Sequence, residues 1–404
     1  LKSRWCLNPE IDFLNHGSFG AVPRIVLDEQ VRLRGELERD PIRFLAPERE
    51  LEPKLDDVRR RVAKCVGATA SNVAFVRNAT DGVNAVLRSM KLNEGDEVVV
   101  TNHGYNACIN AVRFVAERAK ATTRVAEVPF PIASPDEVVD AIAHVLSDRT
   151  RLVLVDHVTS PTALVFPVDR IIELARQRGV RVMIDGAHAP GMLRLELEQM
   201  GADFYAANHH KWLCAPKASG FLYARPECQS EVHPTIISHA YNRPRPGRSR
   251  FLAEFDWMGT HDPTPLLCVP AALDFLNSLN PQGLIGQMEV NRILALQSQH
   301  VLCEAIEIPR PCPQAMIGAM AAVPLEGIDL EAGVSLARDL YEQERIEVPI
   351  FAGIAKPGER ETEVPPLLRV SLQAYNDLSQ VQRLAESLRR HLPRLRRELA
   401  RRRR

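Results

Sequence analysis

Five short runs rich in β-branched residues recur between residues 73 and 184, each separated from the next by a stretch of helical character. They are Val73-Ala74-Phe75-Val76, Glu97-Val98-Val99-Val100, Arg124-Val125-Ala126-Glu127-Val128, Leu152-Val153-Leu154-Val155 and Val182-Met183-Ile184. The helical stretches lie at about 80–91, 106–120, 135–147 and 167–179. Strands that alternate with helices are joined by crossovers. Near-continuous apolar strands are buried on both faces, so the pattern predicts an α/β fold with a mostly parallel sheet covered by helices on each side. Phe204-Tyr205-Ala206-Ala207 and Gly220-Phe221-Leu222-Tyr223-Ala224 add two candidate strands, for seven in all. Residues 21–66 read as two amphipathic helices parted at Asp40-Pro41.

The chemistry concentrates at two blocks about 20 residues apart. Val182-Met183-Ile184-Asp185-Gly186-Ala187-His188 is a buried strand that ends in a carboxylate and a turn. Asn208-His209-His210-Lys211-Trp212 sets a lysine among imidazoles and an indole, between the last two strands and thus at the sheet's end, where ligands bind in such folds. Burial and cationic neighbours lower a lysine pKa toward the neutral amine that imine formation needs. A carboxylate at a strand end suits the pyridinium nitrogen of pyridoxal phosphate. Together the blocks point to that cofactor, with Lys211 as its covalent partner and Asp185 on its ring nitrogen. His188 can then reach the ring's phenolic oxygen, and His210 can donate to the phosphate.

Arg77-Asn78-Ala79-Thr80-Asp81-Gly82 follows a strand and opens a helix. Free N–H groups and the positive dipole end make such a start a seat for phosphate, through Asn78, Ala79 and Thr80, although the same residues are good plain caps. Asn102-His103-Gly104-Tyr105-Asn106 follows the next strand, and either His103 or Tyr105 can stack on a flat ring. Arg369 is a lone cation in the apolar run Leu367-Leu368-Arg369-Val370-Ser371. It reads as a bidentate clamp on a substrate carboxylate or as half of an internal ion pair. No carboxylate or cysteine stands at ligand spacing around His188, His209 and His210, which disfavours a metal site.

With these blocks in place, the chain resembles the class V aminotransferases, a branch of the fold-type I pyridoxal-phosphate enzymes, and more narrowly the isopenicillin N epimerase group with its related carbon–sulfur lyases. Leu14-Asn15-His16-Gly17-Ser18-Phe19-Gly20, Asn78-Ala79-Thr80, Asp185-Gly186-Ala187-His188, Asn208-His209-His210-Lys211-Trp212, Gly259-Thr260-His261-Asp262 and Arg369-Val370-Ser371 carry the likeness. It implies a large cofactor-binding domain over 16–265 and a smaller α+β domain from 1–15 and 266–390. It further implies that Thr80 and His210 hold the phosphate and that Arg369 binds the substrate carboxylate. Thr260 would reach the phosphate of a neighbouring subunit in a homodimer with shared sites. Asn15 and His16 would lie on the substrate side, and His157-Val158-Thr159-Ser160 would approach from below. The expected reaction is one in which an amino acid's amine displaces Lys211 from the cofactor aldehyde and its Cα proton is removed. Epimerisation, carbon–sulfur β-elimination and transamination are the possible ends. An opposite-face acid for epimerisation is open among His16, His103 and Tyr105. Loops 233–262 and 346–364 would set the side-chain preference. Desulfurases of this class place a nucleophilic cysteine shortly before the arginine, whereas Pro313 to Leu368 contains none.

Bulk properties narrow the partners. The formal net charge is zero, which gives no case for nucleic acid or anionic membrane. No uncharged apolar run reaches the length of a membrane span, and Leu1-Lys2-Ser3-Arg4-Trp5 is not followed by a secretory core. Eight scattered cysteines without a C-x-x-C pair read as reduced thiols of a cytoplasmic protein. From Arg389 to Arg404 there are nine arginines and one glutamate, which predicts a disordered basic tail over 391–404.

Overall fold

In the computed structural model, residues 1–355 and 364–402 are described, so 356–363 of the second specificity loop and the last two arginines lie outside it. The strands, in chain order, are β1 (Asp12–Phe13), β2 (Val73–Val76), β3 (Glu97–Thr101), β4 (Thr122–Ala126), β5 (Thr150–Asp156), β6 (Arg181–Asp185), β7 (Phe204–Asn208) and β8 (Gly220–Ala224), followed by β9 (Met320–Pro324), β10 (Ile346–Glu347), β11 (Ile350–Phe351) and β12 (Leu367–Ser371). β2 to β8 form one seven-stranded sheet in the order β2-β8-β7-β6-β5-β3-β4. Only β8 runs antiparallel to its neighbours, β2 and β7. The mostly parallel sheet predicted by the alternation is therefore present.

Period-two side chains sort this sheet's strands between two cores. Leu152 and Leu154 of β5 pack with Val83 and Val86 on one face, while Val153 and Val155 pack with Ile171 and Ile172 on the other. With both faces dry, chemistry is left to the strand ends. β5 and β6 are parallel and in register, with Asp156 opposite Asp185, so two carboxylates leave the sheet side by side. The link from β7 to β8 spans residues 209–219 and carries Lys211 at the same end. Two glycines allow the close approaches there. Gly20 has φ +69°, and a Cβ on it would collide with the His210 carbonyl. A Cβ on Gly220 would meet the Ala207 carbonyl oxygen at 2.5 Å and Asn78 Cα at 3.1 Å.

A second sheet, β11-β12-β9, holds Arg369, and the parallel pair β1–β10 ties the amino-terminal segment beside it. The Gly283–Ile306 helix packs against both β9 and the Leu378–Arg402 helix. Three local expectations change. Asp40-Pro41 does not simply separate two helices, because a short helix Pro41–Leu45 and a wide turn Pro47–Leu51 intervene before Glu52–Val66. The segment read as loop at 233–262 contains the helix Arg250–Asp256, capped by Ser249 and anchored by buried Phe251 and Phe255. The supposed disordered tail continues the last helix to Arg402. Leu388 and Leu392 are buried and Leu395 and Leu399 pack on the core, a helical 4-3-4 spacing that the arginine count conceals.

Candidate active site

The acids, the lysine and the start of the Ala79–Ser89 helix surround one cavity of about 240 Å³. Asp185 and Asp156, both buried, lie together on its wall. Asp185 Oδ1 accepts the Ala187 N–H at 3.0 Å, and Oδ2 accepts the Cys108 thiol at 3.0 Å. Burial raises the pKa of both carboxyls, and the Asp185 charge pushes Asp156 up further, well above the carboxylate range. The Asp185 charge thus favours the protonated form of Asp156. Asp156 ends its strand in a carboxylate just as Asp185 does.

Lys211 Nζ lies 3.0 Å from His188 Nε2, and the Trp212 indole N–H points at His188 Nδ1 at 3.4 Å. A neutral imidazole carries one proton, so with Nδ1 accepting from the indole the proton belongs on Nε2, inferred here from the bonding pattern. Nε2–H can then donate to Nζ whenever the amine is neutral. Burial first, then the Arg369 charge, lower the Lys211 pKa to about 8, against the opposing pull of Asp185 and Asp156, so the neutral amine becomes the main form only above that pH. Desolvation and the same lysine keep His188 well below its ordinary value.

At the helix start, Asn78 Oδ1 caps the Asp81 N–H at 2.9 Å, and the Ala79 N–H donates to Asn208 Oδ1 at 2.8 Å. Ala79 thus lines the cavity without a free N–H, and Thr80 is the first-turn residue left to face a phosphate. His210 also lines the cavity, with Nδ1 3.2 Å from the Ser219 carbonyl. Its Nε2 can donate only when the ring is protonated, a form that burial disfavours and a bound phosphate would favour.

The open choice between His103 and Tyr105 is decided by position. His103 is fully buried, held by Thr162 Oγ1 at 2.8 Å and the Val128 carbonyl at 3.0 Å, whereas Tyr105 is 45 % exposed and lines the cavity. His16 is not on the substrate side. Its Nε2 donates to the Lys211 carbonyl at 2.9 Å, its Nδ1 pairs with Tyr375 Oη at 2.8 Å, and burial brings its pKa to about 3. It props the lysine's backbone and cannot serve as an opposite-face acid. Asn15 is likewise one step back, bonded to Glu347 and accepting the Ser18 hydroxyl at 2.6 Å. Ser18 and Phe19, from the same block, are the residues that reach the cavity. Of 157–160, Val158 and Ser160 line it, while His157 is buried against Tyr205. Thr260 is exposed, in a separate depression with Arg77 and Ile236.

Arg369 is 1 % exposed, and among the described residues its hydrogen bonds go to serines and not to a carboxylate. Its Nη1 donates to the Ser160 carbonyl at 2.6 Å and Oγ at 3.2 Å, and Nη2 donates to Ser18 Oγ at 3.1 Å. Its Nε has no acceptor, and burial lowers its pKa to about 9, so it remains charged at neutral pH. A buried guanidinium with no carboxylate partner among the described residues, behind two cavity-lining serines, is a place where a carboxylate would be strongly held.

A parallel sheet with a lysine on the loop beyond a strand-end acid defines a class of cofactor-binding α/β proteins. The cysteine desulfurase CsdA of Escherichia coli has this fold, with a TM-score of 0.79 at 21% identity, covering 98% of each chain. The aminotransferase class-V family model matches residues 44–384, and the chain belongs to that family. It is 36% identical to an isopenicillin N epimerase of Amycolatopsis lactamdurans over 95% of both chains. It is 30% identical to a probable chloroplastic L-cysteine desulfhydrase of Arabidopsis thaliana, over 94% of this chain and 83% of that one.

The donor set fits pyridoxal phosphate: a desolvated amine of lowered pKa, a buried acid pair for a pyridinium, an aromatic face and a helix start. Because the neutral amine is what attacks an aldehyde, capture of the cofactor by the apo-protein is expected to quicken with pH and level off above about 8. A stopped-flow rate still climbing toward the ordinary lysine value of about 10.4 removes the desolvated amine from this account.

Proposed function

We propose that this chain is a pyridoxal-phosphate enzyme acting at Cα and Cβ of an amino acid, with epimerisation at Cα its reaction and carbon–sulfur β-elimination the alternative. The observation that carries this reading is the buried Lys211 amine, its pKa lowered to about 8, held by His188 at 3.0 Å beside two buried carboxylates. When bound, the cofactor supplies an aldehyde for amine exchange and a ring that takes up electrons from Cα. Asp185 keeps the ring nitrogen protonated. Lys211, once freed, takes the Cα proton, and His188 keeps its amine oriented. Thr80 and His210 hold the phosphate, and Arg369, reached past Ser18 and Ser160, fixes the α-carboxylate. Epimerisation needs an acid on the other face, and Tyr105 is the one of the three sequence candidates that lines the cavity.

Epimerisation is placed first on the 36% identity that runs almost end to end. Elimination stands second on the desulfhydrase relatives, and transamination third. A desulfurase-type persulfide relay is disfavoured by the absence of cysteine from Pro313 to Leu368. A cofactor-binding pseudoenzyme is the non-catalytic rival, against which Lys211, Asp185, Thr80 and Arg369 all stand. Residues 16–265 form the cofactor unit in this reading, and 1–15 with 266–390 form the carboxylate unit. Thr260, exposed and away from this chain's own cavity, suits a homodimer in which it completes the neighbour's phosphate site. Eight free cysteines suit a cytoplasmic setting, and among the described residues no helix is long and apolar enough to cross a membrane.

Incubation of the loaded protein with L-amino acids and S-substituted cysteines in deuterated water tests the whole reading. Deuterium at Cα in both configurations is expected. Pyruvate would instead establish elimination, and a keto acid transamination. No exchange with any substrate leaves the pseudoenzyme. Arg369→Ala is expected to raise KM for α-amino acids by about 10- to 100-fold with a smaller change in kcat, the usual loss for a charged hydrogen bond made in both ground and transition states. An unchanged KM would put the carboxylate elsewhere.

A further inference from the structure

Cys108 sits in the first turn of the Asn106–Ala119 helix and is 2 % exposed. Buried cysteine is usually core filling, but this one is engaged. Its 3.0 Å contact with Asp185 Oδ2 is the shortest thiol hydrogen bond among the described residues. Cys228 reaches Asp203 only at 3.6 Å, and Cys214 and Cys312 meet glutamine amides at 3.6 and 3.4 Å. With the Ala187 N–H on Oδ1, Asp185 carries a donor on each oxygen, and its plane is set in the free protein.

Charge fixes the direction of the bond. Burial, then Asp185 and more weakly Asp156, push the thiol's pKa well above its ordinary range, so it stays protonated and donates. In return the bond counters the effect of burial on Asp185.

We propose that Cys108 is a positioning residue for the cofactor, its thiol orienting Asp185 toward the ring nitrogen of pyridoxal phosphate without touching the cofactor itself. This rests on the site being a pyridoxal-phosphate site. Wild-type apo-protein that fails to bind pyridoxal phosphate overturns that reading, whereas a wild type that binds and a Cys108→Ala that binds equally well overturns only the present one.

The test is titration of apo wild type, Cys108→Ala, Cys108→Val and Cys108→Ser with pyridoxal phosphate, followed by fluorescence, alongside apo melting temperatures. The alanine and valine variants are expected to bind about tenfold more weakly, the low end for a hydrogen bond to a charged group because a thiol is a weak donor. Serine keeps a donor and is expected to stay within about threefold. Affinity within twofold of wild type for alanine, or equal losses for serine and alanine, overturns the assignment. If neither apolar variant folds, the infrared S–H band that wild type loses in Cys108→Ser decides. A band shifted below that of free thiols supports the bond to Asp185, and one at the free-thiol position overturns it.

Discussion

Lys211→Ala is expected to lose turnover by about 10³- to 10⁴-fold while still binding pyridoxal phosphate, now without covalent attachment that borohydride can fix. The size follows from removing a general base and a nucleophile in one step. What makes the result interpretable is that the backbone around Lys211 does not depend on its side chain. The Lys211 carbonyl accepts from His16 Nε2 and from the Cys214 N–H, and neighbouring Trp212 is fully buried. Those contacts survive truncation. The apo-variant is also expected to melt no lower than wild type near neutral pH. Folding lowers the lysine pKa from 10.5 to about 8, so the penalty for the charged amine develops as pH falls through that interval and is fully present below it. Removing the side chain removes the penalty. Small exogenous amines should restore part of the activity, since the cavity left beside His188 is where the amine stood. Turnover within tenfold of wild type, with folding intact, would assign the base to another residue.

The strands and the two chemical blocks were legible because they depend on local pattern. Burial on both faces writes β-branched runs into β3, β5 and β6, and a parallel strand can end in a carboxylate only where the sheet opens. What the pattern could not provide was which neighbour faces the cavity. His16 and Ser18 are two residues apart in one block, yet one is sealed under the Lys211 carbonyl and the other lines the cavity. His103 and Tyr105 part in the same way, because the turn after β3 sends one ring into the core and the next out of it. Asn208 was inside a quoted block, but its grip on the Ala79 N–H spans 129 positions and has no local signature. The same is true of Cys108 and Asp185. Asp156 is different in kind: its signal was local and simply unused.

That unused acid shapes the second large effect. Asp185→Ala is expected to lower turnover by about 30- to 1000-fold and to weaken pyridoxal phosphate binding, as truncating one partner of a buried charge pair generally does. The loss should fall short of the lysine variant because Asp156 remains at the same register on the adjacent strand. Without the Asp185 charge beside it, its pKa drops and it ionises more readily, a partial substitute on the wrong strand. Asp156→Asn should act oppositely on the apo-protein. It removes a carboxyl that burial and the Asp185 charge push up, and is expected to increase the melting temperature at neutral pH, with a smaller loss of turnover than Asp185→Ala. The comparison separates the roles: cofactor affinity and turnover should rank wild type, Asp156→Asn, Asp185→Ala, while apo stability should place Asp156→Asn highest. If the two single variants lose turnover equally, the ring nitrogen is shared between the acids and not held by Asp185. If Asp185→Ala retains more than about a third of wild-type turnover, the pyridinium pairing is wrong, since a lost partner to a buried charge cannot have so small an effect.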